Sequence, residues 1–162
     1  MSGSAPAAYR TRLATPEDAE VLAEARFRQL LDEGSEPRFD VHAETVDFFR
    51  RHIADGSYRA YITEADGALA ATAAVLFQEY PPSISWHGSR RGYVTSVYTA
   101  PAHRGRGLAT ALVRRIVDDA RALGLGNLWL LASREGRSVY KRAGFEDERP
   151  FGDVYMEWYE RD

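Results

Sequence analysis

Pro101-Ala-His-Arg104-Gly105-Arg106-Gly107-Leu108-Ala109 is the stretch on which this chain is read. A strand-like run, Gly92-Tyr-Val-Thr-Ser-Val-Tyr-Thr99, leads into it, and an apolar periodicity at Leu108, Leu112, Ile116, Val117 and Ala120 leaves it. Strand, glycine turn and helix start in that order leave several consecutive backbone N–H groups without an intrahelical partner, free to close around phosphate oxygens. Arg104 and Arg106 add planar, charge-assisted donors. A loop of this kind suits a pyrophosphate. Two common phosphate loops are excluded by the residues that follow. A Walker loop needs lysine and a hydroxyl residue after its last glycine, where this chain has Leu108 and Ala109, and the dinucleotide fingerprint needs a third glycine where it has Thr110.

Outward from the turn, Asn127 to Ala132 reads as a strand, its Leu128-Trp-Leu-Leu131 a continuous apolar run of the kind a buried strand shows. A short helix is expected within 133–145, ending in Gly144-Phe145, and two last strands at 145–149 and 154–159. Toward the N-terminus, residues 9–13 alternate as a strand, and Thr15-Pro16-Glu17-Asp18 supplies a cap, an N1 proline and first-turn acids for a helix with Ala19, Ala23 and Phe27 on one face. A second helix is expected over 44–55, with strands at 58–64 and 68–78 joined through Asp66-Gly67, a strong hairpin signal. Residues 79–91 read as a loop.

Composition bounds the function. Hydrophobic residues are 44% and charged residues 28% of the 162, which is globular rather than disordered and fits one domain over 9–162 behind a disordered tail at 1–8. A net charge of −3 offers no overall field for nucleic acid or an anionic membrane. Arg90, Arg91, Arg104, Arg106, Arg114 and Arg115 cluster locally instead, as suits a small polyanion. There is no cysteine, hence no disulfide, thiolate zinc site or cysteine nucleophile. The four histidines have no metal-ligand spacing, so no metal is implied. The first residues lack the pattern of a signal peptide and the longest apolar run is too short to span a bilayer, so a soluble, cytoplasmic protein is expected.

Arg104-x-x-Gly107-x-Ala109 resembles the Arg/Gln-x-x-Gly-x-Gly/Ala signature of the GCN5-related N-acetyltransferases (the GNAT family). Val97-Tyr98-Thr99-Ala100-Pro101 is similar to that family's fourth strand and its proline approach. Ser133-Arg-Glu-Gly-Arg-Ser-Val-Tyr140-Lys-Arg-Ala-Gly144-Phe145 is similar to its tyrosine-bearing short helix. Together these cover residues 92–145. The resemblance implies an α/β (α+β) GNAT fold: a mixed, mostly antiparallel sheet of about seven strands, splayed between strands 4 and 5, with about four helices. It also implies acetyl-CoA as co-substrate, its pantetheine arm along Val97, Tyr98 and Thr99. The cradle for its pyrophosphate would be Arg104, Gly105, Arg106, Gly107, Leu108, Ala109 and Thr110. Ser133 stands where the family often has asparagine, which puts a side-chain contact from there in doubt. Tyr140 corresponds to the family's general acid, and a tyrosine there also reads as an ordinary core residue.

The expected reaction is acetyl transfer to the primary amine of a small molecule. Glu79 is the first candidate base, followed by His87 and Glu44, and Tyr80 and Trp86 are candidate walls of the acceptor site. A non-catalytic CoA-binding sensor, a protein N-terminal acetyltransferase and acyl transfer to oxygen remain alternatives. No nucleic-acid, membrane or metal partner is expected, and a homodimer is compatible with everything above.

Overall fold

The structure, a computed structural model, describes residues 8–84 and 88–147. β1 (Tyr9–Leu13) passes through a 3-10 turn at Pro16–Asp18 into α1 (Ala19–Asp32), and α2 (His42–Ala54) follows. β2 (Tyr58–Ala65) and β3 (Ala68–Glu79) form a hairpin whose central residues Asp66 and Gly67 both have positive φ, 52° and 79°, as a type I′ turn requires. β4 (Arg90–Thr99), a 3-10 turn at Pro101–His103, α3 (Leu108–Ala122), β5 (Leu128–Trp129) and α4 (Arg137–Arg142) complete the order. The strands lie in sequence order, antiparallel from β1 to β4, with β5 parallel to β4.

The sheet is the middle of three layers. Leu22, Ala23, Val46 and Phe49 of α1 and α2 pack with Tyr58, Ala60 and Ile62 on one face. Leu112, Val113 and Ile116 of α3 pack with Tyr61, Ala73, Val75 and Val94 on the other. The alanines of β3, at 70, 71, 73 and 74, are all fully buried, so helices approach a strand with little side-chain bulk. At the start of α1, Arg12 bridges Asp18 at 2.7 Å and Glu64 at 2.8 Å. These contacts hold the Asp18 carboxyl down at about 2.

Two features of β4 position the site. Pairing moves from Thr72↔Tyr98 to Ala74↔Thr95, so β4 spends one additional residue there, a bulge at Ser96–Val97 with Ser96 at φ 52°. On its other edge β4 pairs with β5 only at Gly92↔Leu128 and Tyr93↔Trp129. From Val94 onward that edge has no strand partner among the described residues.

The mixed, mostly antiparallel fold with four helices matches the sequence reading, with corrections in detail. The described residues hold five strands rather than about seven. The strand expected at 154–159 lies outside the described residues, as does most of the one at 145–149, and Phe145 to Asp147 form no strand. β5 is two residues long because after Trp129 the chain leaves β4, and an apolar run without a ladder partner is not a strand. Part of the expected 79–91 loop is ladder: Glu79 pairs with Arg90, opposite charges across two strands. α2 starts at His42, two residues before the expected 44. The expected tail, except Ala8, lies outside the described residues. Among the described residues no helix is long and apolar enough to cross a membrane, and no group of three metal-ligating side chains occurs.

Candidate functional site

Gly107, at φ 77° and ψ 8°, is the N-cap residue of α3, and Gly105 has φ 74°. Both conformations are left-handed, which favours glycine. A Cβ at either position would meet no atom within 4 Å, so the turn is open toward solvent. No backbone hydrogen bond from the N–H groups of residues 105–110 is found among the described residues. These donors sit at the positive end of the α3 dipole. Leu108 packs on the α3 core, and Thr110, 6% exposed, lies against Arg142.

The two arginines of the turn do different things. Arg104 donates to the Thr99 carbonyl at 3.0 Å and to Asp32 Oδ2 at 2.5 Å, tying the turn to β4 and the end of α1. Arg106 is exposed and has no partner among the described residues. Val97, Tyr98 and Thr99 lead into this turn along the unpaired edge of β4. A buried amide with no partner costs about 1–3 kcal/mol, so the amides on that edge are open to a hydrogen-bonding ligand.

Tyr140 stands on α4. Its ring packs on the α3 core and meets Phe145 edge-on at 6.1 Å, while its hydroxyl has no partner among the described residues. Burial pushes the phenol up to about 12, with Glu33 and Tyr93 acting in the same direction. A phenol so placed stays protonated at neutral pH and can donate. Ser133, three residues before Gly136, accepts that glycine's N–H at 3.1 Å; its hydroxyl therefore serves the turn into α4.

On the opposite face of β4, α2 and the strand enclose a cavity of about 350 Å³. Phe48, Phe49, Leu76 and Tyr93 give it apolar walls, and Arg26, Glu44, Thr95 and Ser96 give it polar groups. Tyr58, fully buried, donates to Ser96 Oγ at 2.9 Å, and Arg26 Nη1 reaches the same oxygen at 3.4 Å.

The structure brings the turn, the free β4 edge and Tyr140 around one end of the sheet, and Glu44 into the cavity. It does not bring Glu79 or Tyr80 there. Glu79 is exposed opposite Arg90, and from Arg90 to Ser96 the strand runs about 20 Å. Tyr80 bonds Gln78 at 3.0 Å and lies under Arg91 at the same far end. Trp86 and His87 lie outside the described residues. Sequence reasoning missed Arg26, Ser96 and Tyr93. The bulge that gathers them is a register shift between two strands, which no local pattern in β4 announces.

The profile of the acetyltransferase (GNAT) family matches residues 22–145. The fold superposes, with a TM-score of 0.84, on the structure of a predicted acetyltransferase with acetyl-CoA from Clostridium acetobutylicum, 35% identical, over 91% of this chain and 96% of that one. Among curated proteins, streptothricin acetyltransferase of Streptomyces lavendulae is 34% identical over 56% of this chain and 46% of its own length. Spermidine N(1)-acetyltransferase of Escherichia coli K12 is 27% identical over 76% of this chain and 63% of its own. The chain thus spans less than two thirds of either curated relative.

Proposed function

The chain belongs to the acetyltransferase (GNAT) family, and from that premise we propose that it transfers an acetyl group from acetyl-CoA to the primary amine of a small molecule. The observation that carries the reading is the junction of two backbone surfaces that have no backbone partner among the described residues. The open N-terminus of α3, with its left-handed glycines, continues directly into the unpaired edge of β4. One fits a pyrophosphate and the other an amide-bearing arm.

Bound acetyl-CoA supplies an activated acyl group as its thioester. The N–H of Val97, at the bulge, holds the thioester carbonyl and stabilises the charge it gains, while Tyr98, paired with Thr72, turns its N–H toward β3. The acceptor amine approaches from the cavity, its nitrogen bonds to the acyl carbon, and the carbon–sulfur bond breaks. Tyr140 gives its proton to the departing sulfur. Glu44, the one carboxylate that lines the cavity among the described residues, takes the amine's proton through water, in place of Glu79. The cavity's size supports a compact acceptor, and the names of the curated relatives include small amines, streptothricin and spermidine.

Thiol release from acetyl-CoA across a panel of amines tests this. The protein has no cysteine, so a thiol reagent reports CoA alone. Release with at least one small amine is expected. Tight acetyl-CoA binding with no release for any amine or peptide would make the chain a CoA-binding module.

A further inference from the structure

Arg26 occupies a position that packing alone does not explain. It lies one turn beyond Leu22 and Ala23, which are 2% and 3% exposed on the sheet-facing side of α1, so its stem is carried into the layer between helix and sheet. It is half-buried, yet no carboxylate pairs with it among the described residues; its one side-chain bond is the 3.4 Å contact to Ser96 Oγ. A guanidinium withdrawn from water without an anion is costly. No ion pair with it is formed by Glu44, which lines the same cavity of about 350 Å³, so the guanidinium is left to meet an anion that enters that space.

We propose that the acceptor is an α-amino acid with an apolar side chain, its carboxylate held by Arg26. This rests on the reading of the chain as an acetyltransferase. Three features converge on it. Ser96, the anchor's neighbour, is the first residue of the β4 bulge, and Val97 follows it on the edge assigned to the thioester. A carboxylate on Arg26 therefore sets the α-amine, one carbon away, at the reacting end of the cavity. The remaining walls, Phe48, Phe49, Leu76 and Tyr93, take an apolar side chain and offer few partners to sugar hydroxyls. A polyamine would set a cation against Arg26, where like charges at close range repel, whereas an amino acid meets opposite charges at both ends, its carboxylate at Arg26 and its amine on the Glu44 side of the cavity.

The experiment pairs leucine, phenylalanine and tyrosine with isoamylamine, phenethylamine and tyramine, and adds spermidine and glucosamine 6-phosphate, following CoA thiol. At least one amino acid is expected to exceed its decarboxylated amine by tenfold or more in kcat/KM. Arg26→Gln should collapse that ratio toward one, chiefly through KM, and Arg26→Lys should recover part of it. Acetyl-CoA affinity by calorimetry shows that each variant is folded. Preference for any amine, for spermidine or for the sugar phosphate overturns the proposal, as does an Arg26→Gln effect equal on acid and amine. Wild-type protein that binds no acetyl-CoA would instead overturn the acetyltransferase reading itself.

Discussion

Tyr58 donates its phenolic hydrogen to Ser96 Oγ at 2.9 Å, joining β2 to the β4 bulge across β3. Ser96 has φ 52°, a left-handed conformation that costs a non-glycine residue about 1–2 kcal/mol, so the bond helps fix a strained residue. Tyr58 is buried completely, and desolvation raises its phenol to about 12. The folded chain therefore holds this proton more tightly than the unfolded chain, where tyrosine titrates near 10. Its stability contribution is complete below pH 10 and is lost as pH rises through 12. Urea unfolding from pH 9 to 12 should show this decline, on the order of 3 kcal/mol. Tyr58→Phe should lower stability at pH 7 by about 1–2 kcal/mol and reduce the alkaline slope, leaving the part that Tyr140, whose phenol burial also raises, contributes over the same range. An unchanged slope would mean that other groups govern the alkaline limit.

At Gly107 the backbone, not crowding, sets the requirement: φ is 77° and a Cβ would stand in open space. Gly107→Ala should cost about 1–2 kcal/mol of stability, and Gly107→Trp should in addition fill the space above the free N–H groups. Calorimetry should show acetyl-CoA affinity reduced by more than tenfold in the folded tryptophan variant. Unchanged affinity would move the phosphate site elsewhere.

Arg104 and Arg106 separate by partner. Arg106 has none among the described residues, so Arg106→Ala should weaken acetyl-CoA binding about tenfold at low salt and less at high salt, leaving the melting temperature as it was. Arg104 already binds Asp32 and Thr99, so Arg104→Ala should also loosen the turn and shift the melting temperature. Equal salt dependence in both variants would contradict this division.

Much of this was legible in the chain. Glycines, prolines and apolar periods are local signals, and they set the element order, the Asp66-Gly67 hairpin and the start of α3. What local signals could not reach was pairing. Leu130 and Leu131 look like strand because they are apolar, yet a strand exists only beside a partner, and β5 leaves β4 after Trp129. Glu79 looked close to the acceptor because sequence distance stood in for space, and a β4 of ten residues separates the two ends. Nothing local in the sequence sets Arg26 apart on α1. Only the three-layer packing shows that it faces inward, with no ion-pair partner among the described residues.

Tyr140 is distinguished from a core tyrosine by what its hydroxyl does, since the ring packs on the α3 core in either case. Tyr140→Phe keeps the packing and removes the proton. If the phenol protonates the departing sulfur, kcat should fall by about 10²-fold while acetyl-CoA affinity and melting temperature hold. With the phenol raised to about 12, wild-type turnover should show no loss from its ionisation until pH exceeds 10. Near-normal turnover in the variant would return Tyr140 to the core.

Gly92 marks where β4 and β5 touch before they part. A Cβ there would lie 2.5 Å from Leu128 Cδ2 and 2.8 Å from Val75 Cγ2, closer than carbon atoms pack. Leu128 is β5's first residue and Val75 is fully buried in the α3 core, so neither yields freely. Gly92→Ala should therefore push β5 off the ladder at the point that sets the gap along β4, at a cost of about 1–3 kcal/mol. For a chain of this size that is a fall of about 3–10 °C in melting temperature. Because β5 leads into α4, the same displacement should carry Tyr140 out of register with β4 and lower kcat more than it weakens acetyl-CoA binding, which we assign to the α3 turn. A variant with wild-type melting temperature would show that Leu128 simply rotates away. One that lost acetyl-CoA affinity before turnover would show that the β4–β5 gap, rather than the α3 turn, dominates CoA binding.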